Sequence, residues 1–221
     1  MNSKLHLIKV VALCATLSAC HLKSEKRIDL PKKLAATSEV TVTEMEPDDQ
    51  LYKALEAFIK ADYAQSSADM KEAARSMRLI GKKEKNQRRK ETIEKAAETL
   101  ETESDKVAKN QFKDITQLYH SFGKTGRALA GNRLTLTEDE FYRHNEEKAG
   151  VLLTKTVTQL EKSITAHHRA LTYREKRVLT DALAVATRLA KGNKVDEADL
   201  KNAIQNIDAE IERWNKEFET L

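Results

Sequence analysis

The chain has 221 residues, which is enough for one domain with a real hydrophobic core. Glycine (6) and proline (2) are scarce, and because turns between strands draw on both residue types, an all-β fold is disfavoured. Although 33% of the residues are charged, the formal net charge is only +4. The composition therefore favours helices and gives no general electrostatic support for a nucleic-acid partner.

The first residues have the features of an export signal. Lys4 and Lys9 lie in a segment without acidic residues, and residues 10–19 form a weakly polar to apolar run. This run is too short to cross a bilayer as a helix, which needs roughly 20 residues. A basic start, a short apolar run and small residues before a cleavage point predict a signal peptide over residues 1–19.

The motif Leu17-Ser18-Ala19-Cys20 ends this signal and resembles the lipobox of bacterial lipoproteins. The resemblance implies that a diacylglyceryl group is attached to the Cys20 sulfur, that a dedicated peptidase cuts before Cys20, and that the new amino group is acylated. Two or more acyl chains anchor a protein stably on a membrane. We therefore expect a lipid-anchored protein whose membrane partner is reached through Cys20.

The residues around the predicted cleavage point add two expectations. An aspartate after the lipid-bearing cysteine favours inner-membrane retention in enteric lipoproteins, so His21 indicates the outer membrane of the cell envelope rather than the inner one. The side of the membrane that the body faces stays open. Cys20 is the single cysteine after the signal, so a thioether there leaves no thiol for a disulfide or a cysteine-bound metal.

A change in composition separates a tether from a folded domain. Residues 20–46 are polar and lack sustained helical periodicity, which predicts a lipidated N-terminus followed by a flexible tether. A coil of about 26 residues spans roughly 25–30 Å. Pro47 and the two acidic residues after it suit a first helical turn, so we expect the helical bundle domain over residues 47–221.

Periodicity and capping signals predict about five helices in this domain. Three glycines between residues 122 and 132 predict a loop, and Gly192 predicts a helix end. The fold class is therefore all-α, an elongated antiparallel bundle with coiled-coil-like long helices, and a long coiled coil with partner helices is the alternative. The expected helices cover residues 47–64, 67–122 with a bend at Gly81, 137–170 and 172–190 after the capping boxes Thr137/Glu140 and Thr172/Glu175, and a last helix after Asp196.

The stretch from Arg75 to Lys95 has the one strong excess of positive charge. It could contact an anionic envelope polymer or lipid, or it could be a solvated helix face that the following acidic residues partly neutralise. No aromatic residue lies in the stretch, which argues against stacking on nucleic-acid bases. The candidate polyanion contacts are Arg75, Arg78, Lys82, Lys83, Lys85, Arg88, Arg89 and Lys90.

The last helix has the most regular apolar stripe in the chain. Its 4/3 spacing indicates a core face, and the alternative is a docking face for a protein partner or for self-association, because the stripe continues to Leu221. The stripe residues that could dock a partner are Ile204, Ile207, Ile211, Trp214 and Phe218.

Motifs for catalysis and metal binding are absent from the sequence. There is no His-Glu-x-x-His or Gly-x-Ser-x-Gly motif, and Gly123-Lys124-Thr125 lacks the earlier glycine of a phosphate-binding loop. We expect no catalytic residues, no metal and no cofactor. The sequence thus favours a non-catalytic binding or structural role in the cell envelope, with anion binding through residues 75–95 as the alternative and an enzyme third.

Overall fold

The computed structural model describes residues 46–112 and 115–218, which belong to the unit that spans residues 40–221. These residues form seven α-helices and no strand, so the all-α prediction is confirmed. Successive helices pack in an antiparallel-like arrangement. The predicted signal, Cys20 and the tether up to residue 45 lie outside the described residues. The helices are α1 (Pro47–Ile59), α2 (Tyr63–Lys83), α3 (Gln87–Ala108), α4 (Ile115–Tyr142), α5 (Glu146–Thr165), α6 (Tyr173–Ala190) and α7 (Glu197–Phe218).

Local capping signals place several helix ends where the sequence predicts them. Pro47 starts α1 with two acidic residues in the first turn. Thr172 caps α6 and forms the predicted capping box with Glu175, in which each side chain accepts from the other residue's backbone N–H. Gly192 follows α6 with φ 67°, a left-handed conformation that glycine adopts without strain. These predictions are confirmed. The sequence could make them because each helix end depends on residues within about one helical turn.

The prediction of one long helix over residues 67–122 is wrong, since α2 ends at Lys83 and α3 begins at Gln87. Between them Glu84 is extended (ψ 127°), and its carboxylate accepts a hydrogen bond from the Asn86 backbone N–H at 2.9 Å. Asn86 in turn caps the first turn of α3. The turn folds α3 back on α2, so the apolar stripes of the two halves pack against each other.

The predicted loop at residues 122–132 is also wrong, because these residues form the middle of α4. Its glycines allow close helix packing instead of a turn. A Cβ atom at Gly123 would lie 2.7 Å from His167 Nε2, and one at Gly126 would lie 2.5 Å from Gln159 Nε2. A Cβ atom at Gly123 would also lie 3.0 Å from the Ser163 backbone oxygen, so a larger side chain there would push α4 away from α5, whereas the end of the Gln159 side chain beside Gly126 can move aside.

Helix α4 continues past the predicted helix start at Thr137. The Thr137 hydroxyl donates to the Arg133 carbonyl oxygen inside α4 at 2.8 Å, so the predicted capping box with Glu140 does not form. The predicted helix of residues 137–170 is therefore wrong as a single element. Its first part belongs to α4, and α5 begins after a separate turn.

Two hydrophobic clusters form the core, and α4 contributes to both. The first packs α1, α2 and α3 against the first half of α4 and fully buries Met70, Met77 and Leu100. The second packs α5, α6 and α7 against the second half of α4 and fully buries Leu160 and Trp214. The middle of α4 is buried on all its faces, so it joins the two halves of the body.

Ion pairs fix the start of α1 to the central helices. Arg133 on α4 pairs with Asp48 and with Glu46, the last residue of the predicted tether, while Lys155 on α5 pairs with Glu46 at 2.9 Å. Burial raises the pKa of Glu46, but the hydrogen bonds and charges of Lys155 and Arg133 outweigh it and lower the pKa below its usual value. The junction between the predicted tether and the body is thus held by charged partners.

Gly150 on α5 tests the close packing of helices. A Cβ atom there would lie 2.4 Å from Ala190 N and 2.6 Å from Ala186 O, both in the α6 backbone. Gly150→Ala should therefore separate α5 from α6 and lower the free energy of unfolding by about 1–3 kcal/mol, measured by urea denaturation of the full chain.

The matched control is Gly131→Ala. A Cβ atom at Gly131 would meet only Arg89 Cγ, at 3.9 Å, so the substitution fits without movement. We expect it to raise the free energy of unfolding by about 0.5–1 kcal/mol, because glycine is a poor helix former. The packing account fails if the two substitutions change stability in the same direction and by the same amount.

Candidate functional site

Five of the eight candidate polyanion contacts lie in ion pairs within the body. Their acidic partners come from α2, α3, α4 and α7. Most of the positively charged side chains in this stretch are therefore paired with acidic side chains of the same chain. Lys82, Lys83 and Lys90 have no ion pair with any residue that the structure describes. The pairs are Arg75–Glu72, Arg78–Glu101, Lys85–Asp139, Arg88–Asp208, Arg88–Glu212 and Arg89–Asp208.

Two of the paired arginines line a cleft where α3, α4 and α7 meet, which we call the α3–α4–α7 cleft. Its volume is about 290 Å³, at the small end of the range for ligand pockets. Thr92, Gly131 and Asn215 contribute to its walls. Its charged lining consists of Arg88, Arg89, Arg127, Lys216, Asp208 and Glu212.

Arg127 on α4 is the most buried cation of this cleft, with 2% of its surface exposed. Its Nε donates to Asn215 Oδ1 at 2.8 Å, and its Nη1 lies 3.0 Å from His167 Nε2. Because a guanidinium keeps its proton in proteins, Arg127 places a permanent positive charge at this depth. Two of its donors therefore hold α7 and the turn after α5 against α4.

The two arginines of α3 are held with different strength. The side chains of Arg88 and Glu212 are 53% and 43% exposed, and ion pairs in such positions contribute about 0–1 kcal/mol. The Arg89 side chain is only 10% exposed and bridges Thr135 at 2.7 Å and Asp208 at 3.2 Å. Arg88 also pairs with Asp208 at 2.6 Å, so both arginines link α3 to α7, and Arg89 is the more buried of the two.

His167 lies next to Arg127, in the turn after α5. Its ring stacks on Phe218 with the centroids 3.8 Å apart, and the His120 ring centroid lies at 4.6 Å. Burial, followed by the positive charge of Arg127, lowers the pKa of His167 from 6.5 to about 4. His167 is therefore neutral at pH 7, and its Nε2 can accept the hydrogen bond from Arg127.

A second charged cluster is centred on Glu175, which is fully buried at the start of α6. Its carboxylate accepts hydrogen bonds from Arg169 at 2.7 and 2.9 Å, from Trp214 Nε1 at 2.7 Å, from the Thr172 backbone N–H at 2.6 Å, and from Arg213. These bonds, that of Arg169 first, hold the pKa of Glu175 far below its usual value. The cluster fastens the α5–α6 turn to α7.

The stripe of the last helix lies in the second core cluster. Its first four residues are buried, and its last is partly buried against the His167 ring. Packing within the chain therefore accounts for the stripe without a partner. These residues are Ile204, Ile207, Ile211, Trp214 and Phe218.

The sequence identifies Arg88 and Arg89 but misses the other residues of the cleft. Arg127 and Asn215 are 88 positions apart, and Arg88 and Asp208 are 120 apart, so no local pattern links them. The one local signal is Arg127 itself, a charged residue in a segment of small and apolar residues, where a buried charge needs polar partners.

No known protein family, curated protein or solved structure matches this chain. Among residues 46–112 and 115–218, no group of three His, Cys, Asp or Glu side chains could hold a metal ion. Within the same ranges, no helix combines the length and the apolar character that crossing a membrane requires.

Glu175→Gln tests the charged cluster at the start of α6. The substitution removes the charge that compensates Arg169 and Arg213, so the free energy of unfolding should fall by about 3 kcal/mol, measured by urea denaturation at pH 7. The control is Asp181→Asn on the same helix, because Asp181 is 69% exposed and lies 3.8 Å from Arg177. The control should change stability by less than about 0.5 kcal/mol, and an equal loss in both variants would contradict the role of Glu175.

The lowered pKa of His167 predicts a loss of stability in acid. Its folded pKa of about 4 lies below the ordinary value of 6.5, so the unfolded chain binds more protons between these values. The contribution of the neutral His167 ring to the free energy of unfolding is fully present above pH 6.5 and is lost as the pH falls toward 4. This contribution stays below about 3 kcal/mol because solvent partly screens the ring.

Urea denaturation between pH 4.5 and 7 measures this contribution. His167→Gln should flatten the dependence of the unfolding free energy on pH. His144→Asn, at an exposed histidine with φ 61°, should keep the wild-type dependence, since asparagine tolerates that backbone conformation. A wild-type pH dependence in His167→Gln would show that burial of this ring does not shift its pKa.

Proposed function

We propose that this chain is a lipid-anchored protein of the bacterial cell envelope with a non-catalytic binding role. The observation that carries the proposal is the motif Leu17-Ser18-Ala19-Cys20 after a basic start and a short apolar run. Its resemblance to the lipobox implies acyl chains on Cys20, which would hold the protein on a membrane. His21 after the cysteine favours the outer membrane over the inner one.

The contacts at the start of α1 support an anchored body. The predicted tether of residues 20–46 would link a lipid on Cys20 to the helical body. Glu46 is held by Arg133 on α4 and by Lys155 on α5. A force applied to the tether would therefore be transmitted to the central helices α4 and α5 and would not act on α1 alone.

The use of buried polar groups supports binding rather than catalysis. Glu175 joins α6 to α7, and Glu84 joins the α2–α3 turn to α4 by accepting from Asn132 at 2.7 Å. These carboxylates are committed to hydrogen bonds between helices. Among the described residues that line the α3–α4–α7 cleft, cationic side chains outnumber acidic ones, which favours contact with an anionic group and requires no proton transfer.

Cys20→Ser tests the anchor. In a bacterium that makes lipoproteins and is fed labelled palmitate, the wild-type chain should incorporate label and sediment with membranes. Cys20→Ser should lose the label, because its hydroxyl cannot form the thioether that precedes acylation in this class. The control is Cys14→Ser, which lies inside the predicted signal and should leave labelling unchanged. Unchanged label in Cys20→Ser would refute the anchor.

A further inference from the structure

Helix α1 has a strip of apolar side chains that the rest of the described body leaves largely uncovered. Tyr52 and Ile59 are 64% and 65% exposed, and Leu55 between them is partly buried. The three residues follow one another at spacings of three and four positions, so they lie on one side of the helix. We call these three residues the α1 strip.

The exposure of the α1 strip differs from that of scattered surface residues. Single exposed apolar side chains are normal on soluble proteins. Ile59 is the most exposed large aliphatic residue among those that the structure describes, and Tyr52 is exposed to the same degree two turns before it. Leu55 lies in the turn between them and also packs against the first core cluster. The strip therefore continues the hydrophobic core to the surface.

The exposed charged side chains that the structure describes on α1 and at its C-cap are two acidic and two basic ones. They are Asp49, Glu56, Lys53 and Lys60. Contact of the strip with another surface would therefore depend on its apolar side chains and would not require an anionic partner. A tyrosine suits the boundary between lipid and water, and lysines beside it can extend toward polar headgroups.

The α1 strip lies next to the point where the predicted tether joins the body. Residues 21–45 would link a lipid on Cys20 to Glu46, which ion pairs hold at the start of α1. At a rise of 1.5 Å per residue, Tyr52 and Ile59 lie roughly 9 and 20 Å along the helix from Glu46. Along the chain, α1 is thus the described helix nearest to the predicted anchor, and its exposed strip begins within about two turns of the attachment point.

We propose that the α1 strip contacts the lipid bilayer on which Cys20 would anchor the chain. This inference rests on the lipid anchor proposed above and names the face of the body that meets the membrane. Three apolar side chains on a helix of 13 residues are too few to hold a protein on a bilayer alone. An anchor beside the strip raises the effective concentration of bilayer at α1, so that this weak contact can form.

Fluorescence quenching in vesicles tests the contact. The full chain with Ile59→Cys is made in a bacterium that produces lipoproteins, labelled with a fluorophore and reconstituted in phosphatidylcholine vesicles. Cys20 would be in a thioether, so the introduced cysteine is the thiol that reacts after the signal is removed. The vesicles contain a lipid with a nitroxide near its headgroup, which quenches groups that contact the bilayer. The fluorophore should be quenched by this lipid and protected from iodide in the water.

Tyr142→Cys is the matched control. Tyr142 is 58% exposed and lies about two and a half turns after Arg133, whose side chain pairs with Asp48 at the start of α1. Tyr142 therefore extends from the opposite side of α4. Lipid quenching at Ile59→Cys should exceed that at Tyr142→Cys at least about three-fold. Equal quenching at the two positions, or quenching at neither, would overturn the proposal.

A second measurement tests whether the apolar side chains of the strip make the contact. With the fluorophore at Glu56→Cys, the double substitution Tyr52→Ser/Ile59→Ser should reduce lipid quenching by roughly two-fold or more. Its control is Leu79→Ser/Leu136→Ser, at residues that are 40% and 41% exposed, and it should leave the quenching unchanged. All four side chains are exposed, so both variants should fold. Quenching that persists without Tyr52 and Ile59 would contradict the role of the strip.

Two further outcomes distinguish this contact from other occupants of the strip and from the anchor itself. A fluorophore at Ile59→Cys that neither iodide nor the nitroxide lipid quenches would show that a second copy of the chain covers the strip, and would overturn the proposal. Flotation of the vesicles measures the anchor in the same samples. A chain that floats without lipid quenching keeps the anchor and lacks the contact, whereas a chain that does not float refutes both.

Discussion

Burial of helix α4 between two hydrophobic clusters is the constraint on which the rest of the body depends. Gly123, Gly126 and Ala130 recur at helical spacing, and the missing side chain of Gly123 lets α4 approach α5 and its following turn. Dispersion contacts weaken steeply with distance, so this approach stabilises only if the small residues are kept. It also sets the positions from which Arg133 reaches the start of α1 and Arg127 reaches the cleft.

Charged residues then fasten the helices that surround α4, and their burial determines how much each one contributes. The Arg75–Glu72 pair lies in solvent, where such pairs contribute little. Glu175 is fully buried, so its cationic partners and its hydrogen bonds are needed to offset desolvation. Asp208 is shared by two arginines of α3. Much of the positive charge in the basic stretch is therefore structural.

Whether an individual prediction succeeded or failed follows from how far apart along the sequence the interacting residues lie. The capping box at Thr172 and the left-handed Gly192 could be predicted, because each is set by residues within a few positions. The turn at Glu84 could not be, because this side chain is stabilised by Asn132, 48 positions away. The glycine-containing segment in the middle of α4 is compatible with a loop and also with a closely packed helix. Only the presence of a neighbouring helix decides between these two structures.

The sequence by itself determined the all-α fold class, several helix ends and the apolar stripe of the last helix, since periodicity and capping act within one or two turns. It also contains the motif on which the proposed anchor depends. Tertiary structure decided where the chain folds back, which arginines pair with acids, and that Arg127 and Lys216 join Arg88 in one cleft. Charges act through distance in space, and residues more than a hundred positions apart become neighbours only when three helices pack together.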